Sequence, residues 1–248
     1  MQTIVWYKFA APAAFYPLAG RMIPWCWGLA ALSGLAGLWL GLFVAPIDFQ
    51  QGEGYRIIFV HVGASWMSMF IYLVMAFWAA IGLAFNTRLS GMMTRALAPT
   101  GACFAFISLW TGAFWGKPMW GAWWAWDVRL TSELVLFFLY IAFIALTRAI
   151  DDVRRSDKAG AILVLVSVVN IPIIYFSVSW WNSLHQGASV SLTKSPSMAS
   201  VMLWGMLLCA FSMWMYSIAV ALIRVRGLIL ERERNTEWVR ALLIQEEK

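Results

Sequence analysis

The chain has two histidines, His61 and His185, and they are its clearest candidates for chemistry. Between them runs Trp115-Gly-Lys-Pro-Met-Trp120-Gly-Ala-Trp123-Trp124-Ala-Trp126-Asp127-Val-Arg129-Leu, five tryptophans within twelve positions, interrupted by two glycines and a proline. Trp180 and Trp181 lie just before His185. Taken singly, each histidine is more often a hydrogen-bonded structural residue than a ligand. Taken together with the tryptophans they form a different pattern. Imidazole is a common axial ligand of haem iron, and two opposed imidazoles sandwich a flat macrocycle. A shelf of indoles suits the same kind of ligand: large, flat, apolar, with a few polar handles. The ordinary alternative is an aromatic belt, but a belt needs one or two tryptophans per helix end, at the headgroups.

A macrocycle with two carboxylates also needs donors. Arg56 and Arg129 are the arginines nearest this cluster, and a guanidinium can bind a carboxylate through two hydrogen bonds. Asp127 either pairs with Arg129 or caps a following helix at Thr131-Ser132-Glu133, capping being the commoner use of such a position. Lys117 and Lys194 are read as solvated. His61, Ser65, Ser68 and Tyr72 follow a spacing that puts them on one helix face. In lipid such a stripe must face protein or water, or else its serines simply let helices approach closely. Asn170-Ile171-Pro172 marks a kink, because proline removes a helix hydrogen bond.

Other chemistries are excluded. Cys26, Cys103 and Cys209 are far apart, with no C-x-x-C pair for zinc or redox work and no C-x-x-C-H for covalent haem attachment. Gly112 to Pro118 superficially resembles a phosphate-binding loop, but it is one residue too short between its glycines, and Pro118 stands where Ser or Thr would meet Mg²⁺. The chain carries no ATPase motif.

The elements that must position these residues follow from composition. Of the 248 residues 62% are hydrophobic and 12% charged, against about 45–50% and 25% in soluble domains. A soluble enzyme, a disordered chain and a nucleic-acid binder with a basic surface are all excluded. Six stretches are apolar enough to span a bilayer: roughly 23–45, 57–85, 96–114, 132–147, 160–180 and 199–223. They leave no room for a separate soluble domain, so residues 1–248 are expected to form one all-α, six-transmembrane-helix bundle. The first twenty residues, with Pro12 and Pro17, do not fit a cleavable signal and are read as an interfacial segment.

Six spans put both termini on one side. Fourteen of the 18 Lys and Arg residues fall in the N-terminal segment, the 86–95 and 148–159 loops and the tail 224–248. Only Arg56, Lys117, Arg129 and Lys194 fall on the other side. Basic residues are retained in the cytoplasm, so both termini are expected there, with the net charge of +6 facing the inner headgroups. The histidines and the Trp-rich segment 115–130, between helices 3 and 4, are then external. Asp48, Glu53, Asp127 and Glu133 are counted as the external acids.

The run from Trp115 to Leu130 resembles the tryptophan-rich WWD signature of haem-handling membrane proteins. With six spans, two flanking histidines and this length, the whole chain resembles the bacterial haem exporter protein C family, the cytochrome c maturation protein C family. The resemblance implies a multi-pass protein of the bacterial inner membrane that binds haem b non-covalently at the periplasmic face. It implies delivery to a membrane-anchored periplasmic haem chaperone for c-type cytochrome biogenesis. It also implies partners: an ABC-type ATPase, a second multispan subunit and a small single-span subunit. By position, His61 and His185 become axial iron ligands, and Trp115, Trp120, Trp123, Trp124 and Trp126 become the haem and chaperone platform, with Asp127, Arg129 and Arg56 at the cofactor. A transfer subunit, not an enzyme, is expected. The other readings are a cytochrome b-like electron carrier and an ABC permease without its own haem site.

Overall fold

A computed structural model describes residues 10–181, 183, 185, 190 and 196–246. Helix α1 (Pro12–Trp39) is extended by a π-helical turn, Leu40–Val44, and a 3-10 turn, Glu53–Ile57, leads into α2 (Ile58–Phe85). Then follow α3 (Arg88–Trp120), α4 (Val128–Ala149), α5 (Val153–Ser167), α6 (Asn170–Trp180), α7 (Ser200–Arg232) and the short α8 (Glu237–Glu246). Extended pairing among the described residues is limited to one isolated bridge, Asp48 to Gly52. Six helical units are long and apolar enough to cross a membrane, α5 and α6 counting as one, Val153–Trp180. The protein is an all-α, multi-pass membrane protein.

The helices are longer than their apolar runs. α1 starts at Pro12 and passes through Pro17 and Pro24, so residues 12–22 are helical and continuous with the first apolar stretch. Pro12 occupies the first turn, where its missing N–H has no helical partner to lose. α3 continues through Trp115, Gly116 and Pro118 to Trp120 and ends at Gly121, whose φ of 75° makes the left-handed cap that glycine tolerates. The connection to α4 is therefore 121–127, shorter than the 115–130 segment read from sequence. The kink expected at Pro172 is present as the break between α5 and α6, with turn backbone at Val168 and Val169. α7 likewise runs on through Arg224 to Arg232.

α2, α3 and α7 form the centre of the bundle, with α4, α5 and α6 on one flank and α1 along α7. At Gly37 an added Cβ would lie 2.8 Å from the Cys209 amide nitrogen and 2.9 Å from the Gly205 carbonyl oxygen. The α1 and α7 backbones are thus in direct contact, as small residues allow between membrane helices. The outer side of α1 exposes Trp25, Leu32, Leu35, Trp39 and Phe43, a surface that suits acyl chains. The His61, Ser65, Ser68, Tyr72 stripe points inward and all four residues are buried. Ser68 Oγ meets the Glu133 carboxylate at 2.7 Å, Tyr140 donates to the Ser68 carbonyl at 2.7 Å, and Tyr72 bonds Ser167.

One end of the bundle is pinned by Asp157 of α5, which accepts from Arg95 of α3 at 2.9 Å and from Arg232 of α7 at 2.7 and 3.0 Å. α8 folds back at this end: Trp238 packs on Tyr16 of α1 at 5.9 Å and donates to Glu233 at 2.9 Å. α8 therefore lies beside the start of α1. Removing Asp157 leaves two largely buried guanidiniums facing each other without their shared anion. Asp157→Ala is expected to lower stability in detergent by on the order of 3 kcal/mol, read as a drop in the midpoint of thermal unfolding. An unchanged midpoint would show that the three helices do not depend on this hub.

Candidate functional site

At the end opposite Asp157, where α2 begins and α3 finishes, a cavity of about 280 Å³ opens between four parts of the chain. They are the Asp48–Gly52 turn, α2 with α3, the start of α4 and the segment carrying His185. His61, His185, Trp115, Trp120, Trp124 and Arg129 all line it.

His61 sits in the first turn of α2 and is 8% exposed. Its Nδ1 is 2.9 Å from Thr111 Oγ1 of α3, and Trp115 approaches its ring edge-on at 5.5 Å. α3 comes this close because residue 112 is glycine: a Cβ there would lie 3.1 Å from His61 Cε1. His185 reaches the same cavity from beyond α6. Its ring centroid is 6.3 Å from that of His61, with 27° between the planes, and 6.3 Å from that of Trp120. The His185 amide donates to Ser183 Oγ at 3.1 Å, and Ser183 Oγ in turn bonds the Asp127 carboxylate. The other Asp127 oxygen accepts from the Leu130 amide at 2.9 Å and so caps α4. One carboxylate thus starts the helix that carries Arg129 and anchors the segment that carries His185.

The five clustered tryptophans divide. Trp115 is buried and donates to Gln51 Oε1 at 2.7 Å, which ties α3 to the turn where Asp48 accepts from the Gln50 and Gln51 amides. Gly52, at φ 58°, closes that turn. Trp120 closes α3 beside His185. Trp124 presents a buried indole N–H that has no hydrogen-bond partner among the described residues. Trp123 and Trp126 do not line the cavity. Trp123 packs edge-on against Phe114 at 5.4 Å with Lys117 above it at 6.0 Å, and Trp126 is 79% exposed. Trp180 and Trp181 are also exposed, the former stacked on Phe176.

The two arginines part company as well. Arg129 lines the cavity, and its guanidinium makes no hydrogen bond or ion pair among the described residues, its carbonyl accepting from Ser132 Oγ at 3.1 Å. Arg56 is absent from the lining: it donates to the Gly41 and Ala45 carbonyls, the latter at 3.2 Å, and pairs with Glu53, fastening the end of the first span. Lys117 donates to the Gly121 carbonyl at 3.1 Å. Lys194 lies outside the described residues.

The sequence pattern of the heme exporter protein C family, CcmC, matches residues 5–240. Heme exporter protein C of Escherichia coli strain K12 is 46% identical over 241 residues, 96% of each chain. That of Haemophilus influenzae is 43% identical over 237 residues, 95% of this chain and 96% of the relative, and that of Bradyrhizobium diazoefficiens 41% over 236 residues, 94% and 88%. The chain belongs to the heme exporter protein C family.

Several residues of this family member enter the site unannounced by the sequence. Glu133, counted there among the external charges, is instead buried in α4, lines the cavity, and leaves its Oε2 without a hydrogen-bond partner among the described residues. A lone acid within an apolar span is the one signal that could have marked it. Thr111, Gln51 and Gly112 carried no signal, because their partners lie roughly fifty or more residues away along the chain.

Proposed function

We propose that this protein binds haem b non-covalently at the periplasmic face of a bacterial inner membrane. From there it delivers haem to a membrane-anchored haem chaperone for c-type cytochrome biogenesis, as one subunit of an ABC-type complex. The observation that carries this reading is the meeting of the chain's two histidines, 6.3 Å apart, on a cavity walled by Trp115, Trp120 and Trp124.

The residues present fit the cargo. Metal–imidazole bonds are about 2 Å long. With each ring centre about 1 Å behind its nitrogen, two imidazoles on opposite sides of one iron have centroids about 6 Å apart. His61 and His185 have that separation. Arg129 and the Trp124 indole N–H supply donors for a carboxylate: the guanidinium, though it feels the charges of Glu133 and Asp127, makes no ion pair among the described residues, and the indole N–H has no hydrogen-bond partner there. Trp120, Met119 and Leu130 offer apolar surface for the ring. No C-x-x-C-H occurs, and the three cysteines are absent from the lining, which supports a hold without thioether bonds.

When bound, haem supplies the iron and the conjugated ring; the chain supplies position. His61 and His185 hold the metal, the indoles exclude water from one face, and Arg129 orients the polar edge. At about 280 Å³ the cavity is at the low end of small-molecule pockets, about 300–1,000 Å³, so part of a porphyrin stays outside it. That supports transfer to a partner over permanent residence. The exposed Trp123 and Trp126 provide an apolar contact for that partner. The basic bias of the opposite end, around Arg88, Arg154, Arg155 and Lys158, supports the orientation with both termini in the cytoplasm.

The test uses membranes holding the whole complex and a tagged haem chaperone. Chaperone isolated from them is expected to carry covalent haem, detected by its absorption in denaturing gels, and to carry none when this subunit is deleted. Undiminished loading without this subunit would refute the transfer role. Rapid, reversible reduction by quinol analogues with no loading would favour an electron carrier.

A further inference from the structure

We infer that Thr111 is the positioning residue that sets the tautomer of His61 and so aims its Nε2 into the cavity. The inference deepens the reading of His61 as an iron ligand and rests on it.

A threonine hydroxyl has one proton to donate. Thr111 Oγ1 is 2.6 Å from the Ile107 carbonyl oxygen, one helical turn back, and 3.3 Å from that of Ser108. Such back-bonding to the preceding turn is the ordinary fate of a threonine proton inside a helix. With that proton committed to a carbonyl, which cannot donate in return, Thr111 Oγ1 can only accept from His61 Nδ1 at 2.9 Å. His61 therefore carries its proton on Nδ1. Its Nε2 then holds the lone pair.

The rest of the clamp fixes the ring plane. Trp115 stands edge-on at 80° to it, and Gly112, which follows Thr111 directly, leaves no room for a side chain against Cε1. Three consecutive turns of α3 thus act on one imidazole: Ile107 takes the threonine proton, Thr111 takes the histidine proton, and Trp115 blocks the ring from turning. A metal-bound histidine whose other nitrogen donates a hydrogen bond is a stronger electron donor and is held in the right tautomer, and loss of such a partner costs about 10–100-fold in affinity. Stronger donation by an axial ligand lowers the reduction potential of the iron.

A purely structural threonine would not move that potential, which makes the two roles separable. The test compares wild type with Thr111→Val, which keeps the shape and removes the hydroxyl, and Thr111→Ser, which keeps the hydroxyl. Each is purified as the full chain and loaded with haem. Thr111→Val is expected to bind haem about 10–100-fold more weakly and to have a higher midpoint potential, while Thr111→Ser matches wild type in both. If Thr111→Val does not accumulate in membranes, Thr111→Ala is measured in its place. A hydroxyl-free variant with wild-type affinity and potential would overturn the positioning role. His61→Ala, measured in parallel, separates this failure from that of the underlying reading. If His61→Ala loses haem while Thr111→Val is unaffected, only the role of Thr111 falls. If His61→Ala retains haem with an unchanged spectrum, the ligand assignment falls as well.

Discussion

Purified from haem-replete membranes, the chain carrying both His61→Ala and His185→Ala is expected to show no Soret absorption, where wild type is expected to show one. The two side chains face one another across the cavity at 6.3 Å, and the chain contains no other histidine. Nothing else on the cavity wall ligates iron strongly: Met119 is the one thioether there, and Glu133 is tied to Ser68. On the proposed reading, loss of both imidazoles would remove both protein ligands to the iron, leaving only contact with the indoles and the charge of Arg129. Each single variant is expected to keep a five-coordinate haem with a shifted Soret band, and added imidazole should restore the wild-type spectrum by filling the truncated site. Membrane levels of the double variant should stay near normal, since His61 makes one hydrogen bond to Thr111. A wild-type Soret band in the double variant would refute the axial assignment.

Arg129→Met is expected to weaken haem binding by about 10–100-fold. A hydrogen bond to a charged group contributes about 1.5–3 kcal/mol, and each 1.4 kcal/mol is about tenfold. The informative comparison is with haem dimethyl ester, which lacks the carboxylates. Wild type should bind the ester more weakly than free haem by a similar factor, and Arg129→Met should bind the two alike. If the variant loses equally against both ligands, Arg129 supports the wall and does not hold a carboxylate. Arg129→Lys should recover part of the loss, because a point charge replaces the two-pronged donor.

What the sequence disclosed depended on whether the signal was local. Long apolar runs announced the six spans, and the bias of basic residues announced which connections share a side. The convergence of His61 and His185 was legible because topology alone put both on one face with the tryptophan segment. Helix ends were less legible, since Trp115 to Trp120 looks like a loop by its glycine and proline yet completes α3. Pro118 lies in the last turn, where its missing N–H costs one hydrogen bond of a helix that ends at Gly121 two residues after Met119. Asp127 as a cap was readable from its position before Thr131-Ser132-Glu133. The division between the arginines was not. Arg56 and Arg129 look alike in sequence, and only the three-dimensional path of the first span brings the Gly41 and Ala45 carbonyls to Arg56. The same holds for Glu133, whose inward aim depends on Ser68 of another helix.

That fastening of Arg56 has an electrical consequence. Apart from the histidines, Arg129 is the single cationic residue among the described cavity wall, while a haem brings two carboxylates. One guanidinium neutralises one of them. The other is left to the neutral Trp124 indole N–H and to water, and an uncompensated carboxylate in a dry setting is costly. A macrocycle held between His61 and His185 would thereby be given a polarity, one corner moored and one corner kept wet, with its apolar edge turned toward the indoles. On the proposed reading, an arginine used as a clasp at the end of α1 would thus decide which side of the cargo faces outward.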